Sequence, residues 1–248
     1  MKNKIILTFF VILNVIFFSY TGNEIMENFK EKIKSFDSQK SVFVIRVWDN
    51  GIIKNRKIDV YILYKNNKTL SLMRVTEPND VKNTTVLNIS EDEQYVYMPS
   101  LRSVKRISGN GKDESFLDTD FKYSDLNIIS GDISDNYYLY SEDNENYILK
   151  YDFNDDSEYG YSFLKISKSD FLMSEISFFS KNEKPLKKLY IENYIKNGEK
   201  YTIKNIKVES QISDHYTELN MENTEYDIPI TEKFFNKINI SMPVLIYR

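Results

Sequence analysis

The chain has 248 residues, 33 basic and 37 acidic, with a formal charge of −4, no cysteine, no alanine and a single histidine. Interspersed charge of this sign argues against nucleic acid as a partner. Without cysteine there are no disulfides, no lipidated N-terminal cysteine and none of the usual zinc sites, so no metal or cofactor is expected.

Met1-Lys2-Asn3-Lys4 places two lysines before an apolar run, Ile5 to Phe18, that only Thr8 and Asn14 interrupt. Ser19-Tyr20-Thr21-Gly22 follows with small residues. A basic n-region, an apolar h-region and a small-residue exit make residues 1–22 a signal peptide, cut after Thr21 or Gly22. The competing reading is a retained anchor, for which the run is shorter than the roughly 20 apolar residues of a spanning helix. Residues 23–248 then form one exported domain, soluble once the signal is cleaved. A chain of that size buries about 70% of its unfolded surface, and no Pro/Gly/Ser-rich linker or repeat divides it.

The first mature segment, 24–36, has helical periodicity: Ile25, Phe29, Ile33 and Phe36 recur on one face, with Asn23 as the expected N-cap. Twelve short strand patterns follow: 41–48, 58–65, 69–75, 84–90, 94–98, 101–107, 137–141, 147–153, 171–180, 187–195, 200–209 and 215–221. Turn chemistry such as Asn50-Gly51 and Lys196-Asn197-Gly198-Glu199 separates them. So many short strands predict a mainly β protein, an antiparallel sheet closed or half closed. Residues 109–132 break the rhythm. They carry Phe116, Leu117, Phe121, Tyr123 and Leu126, and read as a lid or plug folding back on apolar surface rather than as a linker.

Two stretches carry a family likeness. The first runs Arg74-Val75-Thr76-Glu77-Pro78, then Thr84-Thr85-Val86-Leu87, then Tyr97-Met98-Pro99-Ser100-Leu101-Arg102-Ser103-Val104-Lys105-Arg106-Ile107, then Ser115-Phe116-Leu117-Asp118-Thr119-Asp120-Phe121-Lys122-Tyr123-Ser124-Asp125. The second is Lys207–Phe235, with Thr217, Asn223-Thr224-Glu225-Tyr226 and Ile230-Thr231-Glu232-Lys233-Phe234-Phe235. In order and spacing these resemble the bacterial outer-membrane lipoprotein-sorting family, within the LolA/LolB-like lipoprotein carrier superfamily. Two positions depart from it: Asn83 and Asp118 stand where that family tends to have glycine. The resemblance implies a strongly curved antiparallel half-barrel whose open side is covered by helices and a loop. Its hollow is implied to hold acyl chains of lipids or lipoproteins, carried or sorted in the periplasm or cell envelope without catalysis.

The hollow and lid are expected to involve Leu72, Val75, Leu87, Tyr97, Met98, Phe116, Phe121 and Tyr123, each of which also fits an ordinary packed core. Arg102, Lys105 and Arg106 suit a phosphate headgroup or a lipoprotein's acidic surface, or equally an ion-paired latch with the loop that holds Asp120 and Asp125. The carboxylate cluster Glu114, Asp118, Asp120 and Asp125 lacks the glycine and terminal glutamate of a calcium loop, and turn-capping is its simpler role. Asp214-His215 offers a general base but no nucleophile motif accompanies it, so an esterase ranks last. An adaptor for another envelope protein, such as a membrane transporter, is the alternative to the carrier.

Overall fold

The computed structural model describes residues 20–33, 36–65, 68–90, 93–126, 136–155 and 157–243. The n- and h-regions of the expected signal, and residues 127–132 of the expected lid, lie outside the described residues.

A helix, α1 (Gly22–Ile33), precedes thirteen strands. They are β1 (Ser38–Asp49), β2 (Ile52–Lys65), β3 (Lys68–Glu77), β4 (Thr85–Ser90), β5 (Glu93–Met98) and β6 (Ser103–Ile107). After the crossing segment come β7 (Tyr137–Glu142), β8 (Asn146–Asp152), β9 (Tyr159–Ser167), β10 (Met173–Ser180), β11 (Pro185–Asn197), β12 (Lys200–Ser210) and β13 (His215–Tyr226). A short helix, α2 (Lys237–Ser241), follows. The strands form one antiparallel sheet in the order β6-β5-β4-β3-β2-β1-β13-β12-β11-β10-β9-β8-β7. Each hairpin is local except β1 with β13, which joins the two halves. The sheet curves but does not close, and β6 and β7 remain its two edges.

Period-two alternation gives each strand one face for each side of the sheet. In β2 Ile58, Val60 and Ile62 point to one side, and Tyr61 and Leu63 to the other. The first side is concave: side chains from every strand meet there in a single cluster with Ile25, Met26, Phe29 and Ile33 of α1. The second side carries a smaller core on β2–β6, where Leu63, Leu72, Leu87 and Tyr95 pack under Ile230, Phe234, Phe235 and Ile240 of the C-terminal segment. Arg74, buried on that side, ties the segment down. Its Nη2 donates to the carbonyls of Asn239 (3.3 Å) and Ile240 (3.1 Å), capping α2, while Nε donates to Thr85 Oγ1.

The expected helix shifts toward the N-terminus. Thr21, not Asn23, is its cap: Thr21 Oγ1 accepts from the Glu24 N–H, and Glu24 Oε2 accepts from the Thr21 N–H (2.7 Å). That reciprocal pair is a capping box. Asn23 Oδ1 instead accepts from the Tyr137 N–H of β7 (2.9 Å). Gly22 has to be glycine, because a Cβ there would sit 2.3 Å from the Tyr137 carbonyl oxygen. At the other end α1 is described to Ile33, residues 34–35 of the expected helix lie outside the described residues, and Phe36 stacks on Tyr226 with ring centroids 3.7 Å apart. Thus Thr21 and Gly22, the expected cut site, belong to the folded domain.

β9 is the strand that periodicity alone did not find. Gly160 looks like a breaker, but a Cβ there would come within 2.8 Å of Lys181 and Ser180 backbone, so the residue marks a close approach. Its inward positions, Ser162, Leu164 and Ile166, alternate as a strand should.

Candidate functional site

The concave face and the segment crossing it form the candidate site. After β6 the chain leaves one edge, and residues 109–113 and 123–125 make short 3-10 turns. Between them Ser115 and Lys122 pair as an isolated bridge, and the Phe116 N–H donates to the Phe121 carbonyl (2.8 Å). The result is a miniature hairpin. Phe116 and Phe121 on it are 2% and 1% exposed and join the concave cluster, as does Leu126. The segment is therefore a plug whose aromatic rings fill the interior.

The hairpin's tip is held in an unusual backbone. Leu117 and Asp118 have φ of 55° and 56°, and the Thr119 N–H donates to the Phe116 carbonyl (3.1 Å). Two successive left-handed residues make a type I′ turn, which glycine and asparagine adopt most easily. Asn83, the other departure from the family's glycines, is left-handed too, with φ of 66°. Both substitutions thus keep the glycine-like conformation with residues that tolerate it. Replacing Asp118 with glycine removes a Cβ penalty, so Asp118→Gly should raise stability by up to about 1 kcal/mol; urea unfolding with an unchanged or lower midpoint would refute that.

Polar contacts pin the plug to the far half of the sheet. Asp120 Oδ1 and Oδ2 lie 2.8 Å from His215 Nδ1, and Asp120 Oδ2 accepts from Thr217 Oγ1 (2.7 Å). Thr217 Oγ1 in turn accepts from the Asp120 N–H (2.9 Å). Five residues on, buried Asp125 is ion-paired with buried Lys187 of β11. Asp125 also accepts from the Lys122 N–H (2.6 Å) and from the Tyr159 hydroxyl (3.3 Å). Lys187 Nζ adds a bond to the Asp120 carbonyl (3.0 Å) and lies over the rings of Tyr159 and Phe178. Burial pulls the Lys187 ammonium below the ordinary lysine range, against the opposing pull of the Asp125 carboxylate. Burial, then the Asp125 charge, pushes the Tyr159 hydroxyl well above the usual tyrosine value.

The expected site residues separate. Val75, Met98, Phe116, Phe121 and Tyr123 lie in or against the concave cluster. Leu72, Leu87 and Tyr97 face the other way, in or against the core beneath the C-terminal segment, because alternation sends them to the opposite side from Val75 and Val86. Arg102, Lys105 and Arg106 are exposed at the β6 edge, while Asp120 and Asp125 find their partners in His215, Thr217 and Lys187. The latch thus exists, built from β11 and β13 rather than from β6. Lys187 gave no sequence signal beyond an unusual inward charge. Thr217 and His215 sit on the inward register of β13, but nothing local ties them to a loop 95 and 97 residues away.

His215 is turned to Asp120, not to its neighbour Asp214. Among the described residues no hydroxyl is hydrogen-bonded to the ring's second nitrogen, and no cluster of His, Asp and Glu is arranged to hold a metal ion. Between the end of α1 and the sheet lies a cavity of about 30 Å³, lined by Ile33, Phe43, Ile62, Leu219 and Met221 with Gln39 and Tyr64. It has room for water, whereas ligand pockets run to about 300–1,000 Å³. Burial raises the Tyr64 hydroxyl far above its ordinary value. No helix among the described residues is long and apolar enough to cross a membrane.

Comparison with known proteins identifies the architecture. Residues 67–242 match the model of a family described as "uncharacterized protein". No curated protein matches the chain. Among solved structures, a putative outer membrane lipoprotein-sorting protein domain from Vibrio parahaemolyticus superposes with a TM-score of 0.80 at 22% identity, over 89% of this chain and 98% of that one. A DUF1329 family protein from Desulfovibrio piger gives 0.78 at 22%, over 88% and 97%. A LolA superfamily protein from Nitrosomonas europaea gives 0.69 at 21%, over 89% and 99%. The half-barrel with its covered open side is the fold these proteins share.

Proposed function

We propose a carrier role for this chain, which belongs to the family of uncharacterized proteins whose model spans residues 67–242 and has the fold of the LolA superfamily. In this reading the protein is exported and non-catalytic. It takes the acyl chains of a lipid or lipoprotein against its concave face, in the space the plug now fills. The observation that carries the reading is how that face is covered. Among the described residues, what meets it across much of the sheet is one helix and a short hairpin held by polar contacts. Phe116 and Phe121 bury apolar area that cargo would bury in their place, so exchange of plug for cargo costs little hydrophobic free energy. Export rests on the basic and apolar start of the chain.

A staple tests it. The native chain has no cysteine, and Asp120 and Thr217 touch through both backbone and side chain. An Asp120→Cys/Thr217→Cys pair, oxidised, should lose uptake of a fluorescent fatty acid by tenfold or more and regain it on reduction. Equal uptake in both states would refute the exchange of plug for cargo.

One observation favours a second reading. Among the described residues, side chains from every strand pack with α1 and the plug into a single cluster, which suits an adaptor that uses the sheet as scaffold for an envelope partner, including a membrane transporter. The same staple separates the two, because an adaptor binds its partner alike whether the plug is free or locked.

A further inference from the structure

Arg56 is a buried cation on the concave face with no counter-ion among the described residues. It occupies the inward register of β2, in line with Ile58, Val60 and Ile62 and opposite Ile45 of β1. Only 8% of the residue is exposed. Its Nη1 donates to the carbonyl of neighbouring Asn55 (3.1 Å), and its buried Nε has no partner. A guanidinium nitrogen out of water and without a partner is costly, and it calls for an explanation such as a bound ion or ligand group. The other cations buried on or against this face are satisfied: Lys187 by Asp125 and Lys30 by Glu27.

We infer that Arg56 receives the oxyanion of the cargo, the carboxylate or phosphate of an anionic acyl lipid. This rests on the concave face being the acyl site. A guanidinium edge, Nε beside an Nη, grips two oxygens of one carboxylate or phosphate at once. The surroundings orient the rest of the molecule. From Arg56 the inward residues of β2 are apolar through Ile58 and Val60 to Ile62, which lines the cavity beside Ile33. Six strand residues span about 20 Å, the reach of a long acyl tail. Headgroup at Arg56 and tail toward Ile33 and Ile62 therefore place charge and apolar length where the protein has each. Asp120 does not compete, being engaged by His215 and Thr217. The cargo class is thereby narrowed from any acylated molecule to those with an acidic head.

Paired ligands test this on the full chain. Palmitate is compared with its methyl ester, and phosphatidylglycerol with diacylglycerol of the same chains, by titration calorimetry. The native protein should bind each acidic member at least tenfold tighter than its neutral counterpart. Arg56→Met should erase that preference while still binding the neutral ligands, and Arg56→Lys should restore part of it. A preference for palmitate or for phosphatidylglycerol distinguishes carboxylate from phosphate as the source. Equal binding of acidic and neutral members by the native protein, or a preference that survives Arg56→Met, overturns the role of Arg56 and leaves the acyl site standing. Binding of none of the four overturns the acyl site and this inference with it. Acetate or inorganic phosphate bound through Arg56 in the absence of any lipid binding overturns the lipid assignment.

Discussion

Lys187→Met is expected to destabilise the protein by about 3–5 kcal/mol and to loosen the plug before the sheet unfolds. The reason lies in what remains. Lys187 and Asp125 have side chains only 8% and 2% exposed. Removing one member of a buried pair strands the other charge in a medium that solvates it poorly, and that loss exceeds the net worth of the pair itself. Asp125 would keep the Lys122 N–H and the Tyr159 hydroxyl, neither of which neutralises it. The Asp120 carbonyl loses its donor as well. Because both contacts lie on the plug, the amides of Phe116 and Phe121 should exchange faster than those of β1 and β2, through a local opening below the global one. Adding Asp125→Asn removes the stranded charge but keeps an acceptor for Lys122, so the double variant should recover much of the loss. Urea unfolding and amide exchange measure both. A single-variant cost under about 1 kcal/mol would mean the pair is solvated, like an exposed ion pair.

The division between what was legible in sequence and what was not follows the range of the interactions. Alternation and turns are local, so the antiparallel half-barrel and most strand positions could be read off in order, and the block at 74–125 led to the family's fold. The plug's apolar side chains also betrayed that it folds back. Which face each strand turns inward is only relative in sequence. For Leu72 and Leu87 the sequence leaves hollow and ordinary core both open, because nothing local says that a second core lies on the outer side under Phe234 and Ile240. The partners of Asp120 and Asp125 were beyond reach for the same reason. They come from β13 and β11, placed beside the plug by the pairing of β1 with β13 and by the curvature of the whole sheet. Arg102, Lys105 and Arg106 are nearer in the chain, but the partners of Asp120 and Asp125 are His215, Thr217 and Lys187. Glycine positions tell the opposite story. Asn83 and Asp118 stand where the resemblance leads one to expect glycine, and both have the left-handed backbone that glycine adopts readily.

That second core makes the C-terminal segment a structural clamp, and Phe234→Ala should show how much of the near half depends on it. Phe234 is 1% exposed and packs on Tyr61 with ring centroids 5.0 Å apart, and edge-on against Phe235 at 5.2 Å. Truncating a fully buried phenylalanine costs about 3–5 kcal/mol, from lost transfer energy and the cavity left behind. Collapse around the gap is resisted because α2 is fixed independently: Arg74 holds the carbonyls of Asn239 and Ile240, and Asn239 Nδ2 donates to the Phe234 carbonyl (2.9 Å). The loss should thus sit near the upper end of that range and should be separable from the plug. Two sites on opposite faces of the sheet with no shared partner add in their effects. Lys187→Met combined with Phe234→Ala should therefore destabilise by the sum of the single effects, while the plug amides respond to the first change alone. A large departure from the sum would show that the outer clamp and the inner plug communicate through β2 and β3, and that the sheet between them is not the rigid wall its pairing suggests.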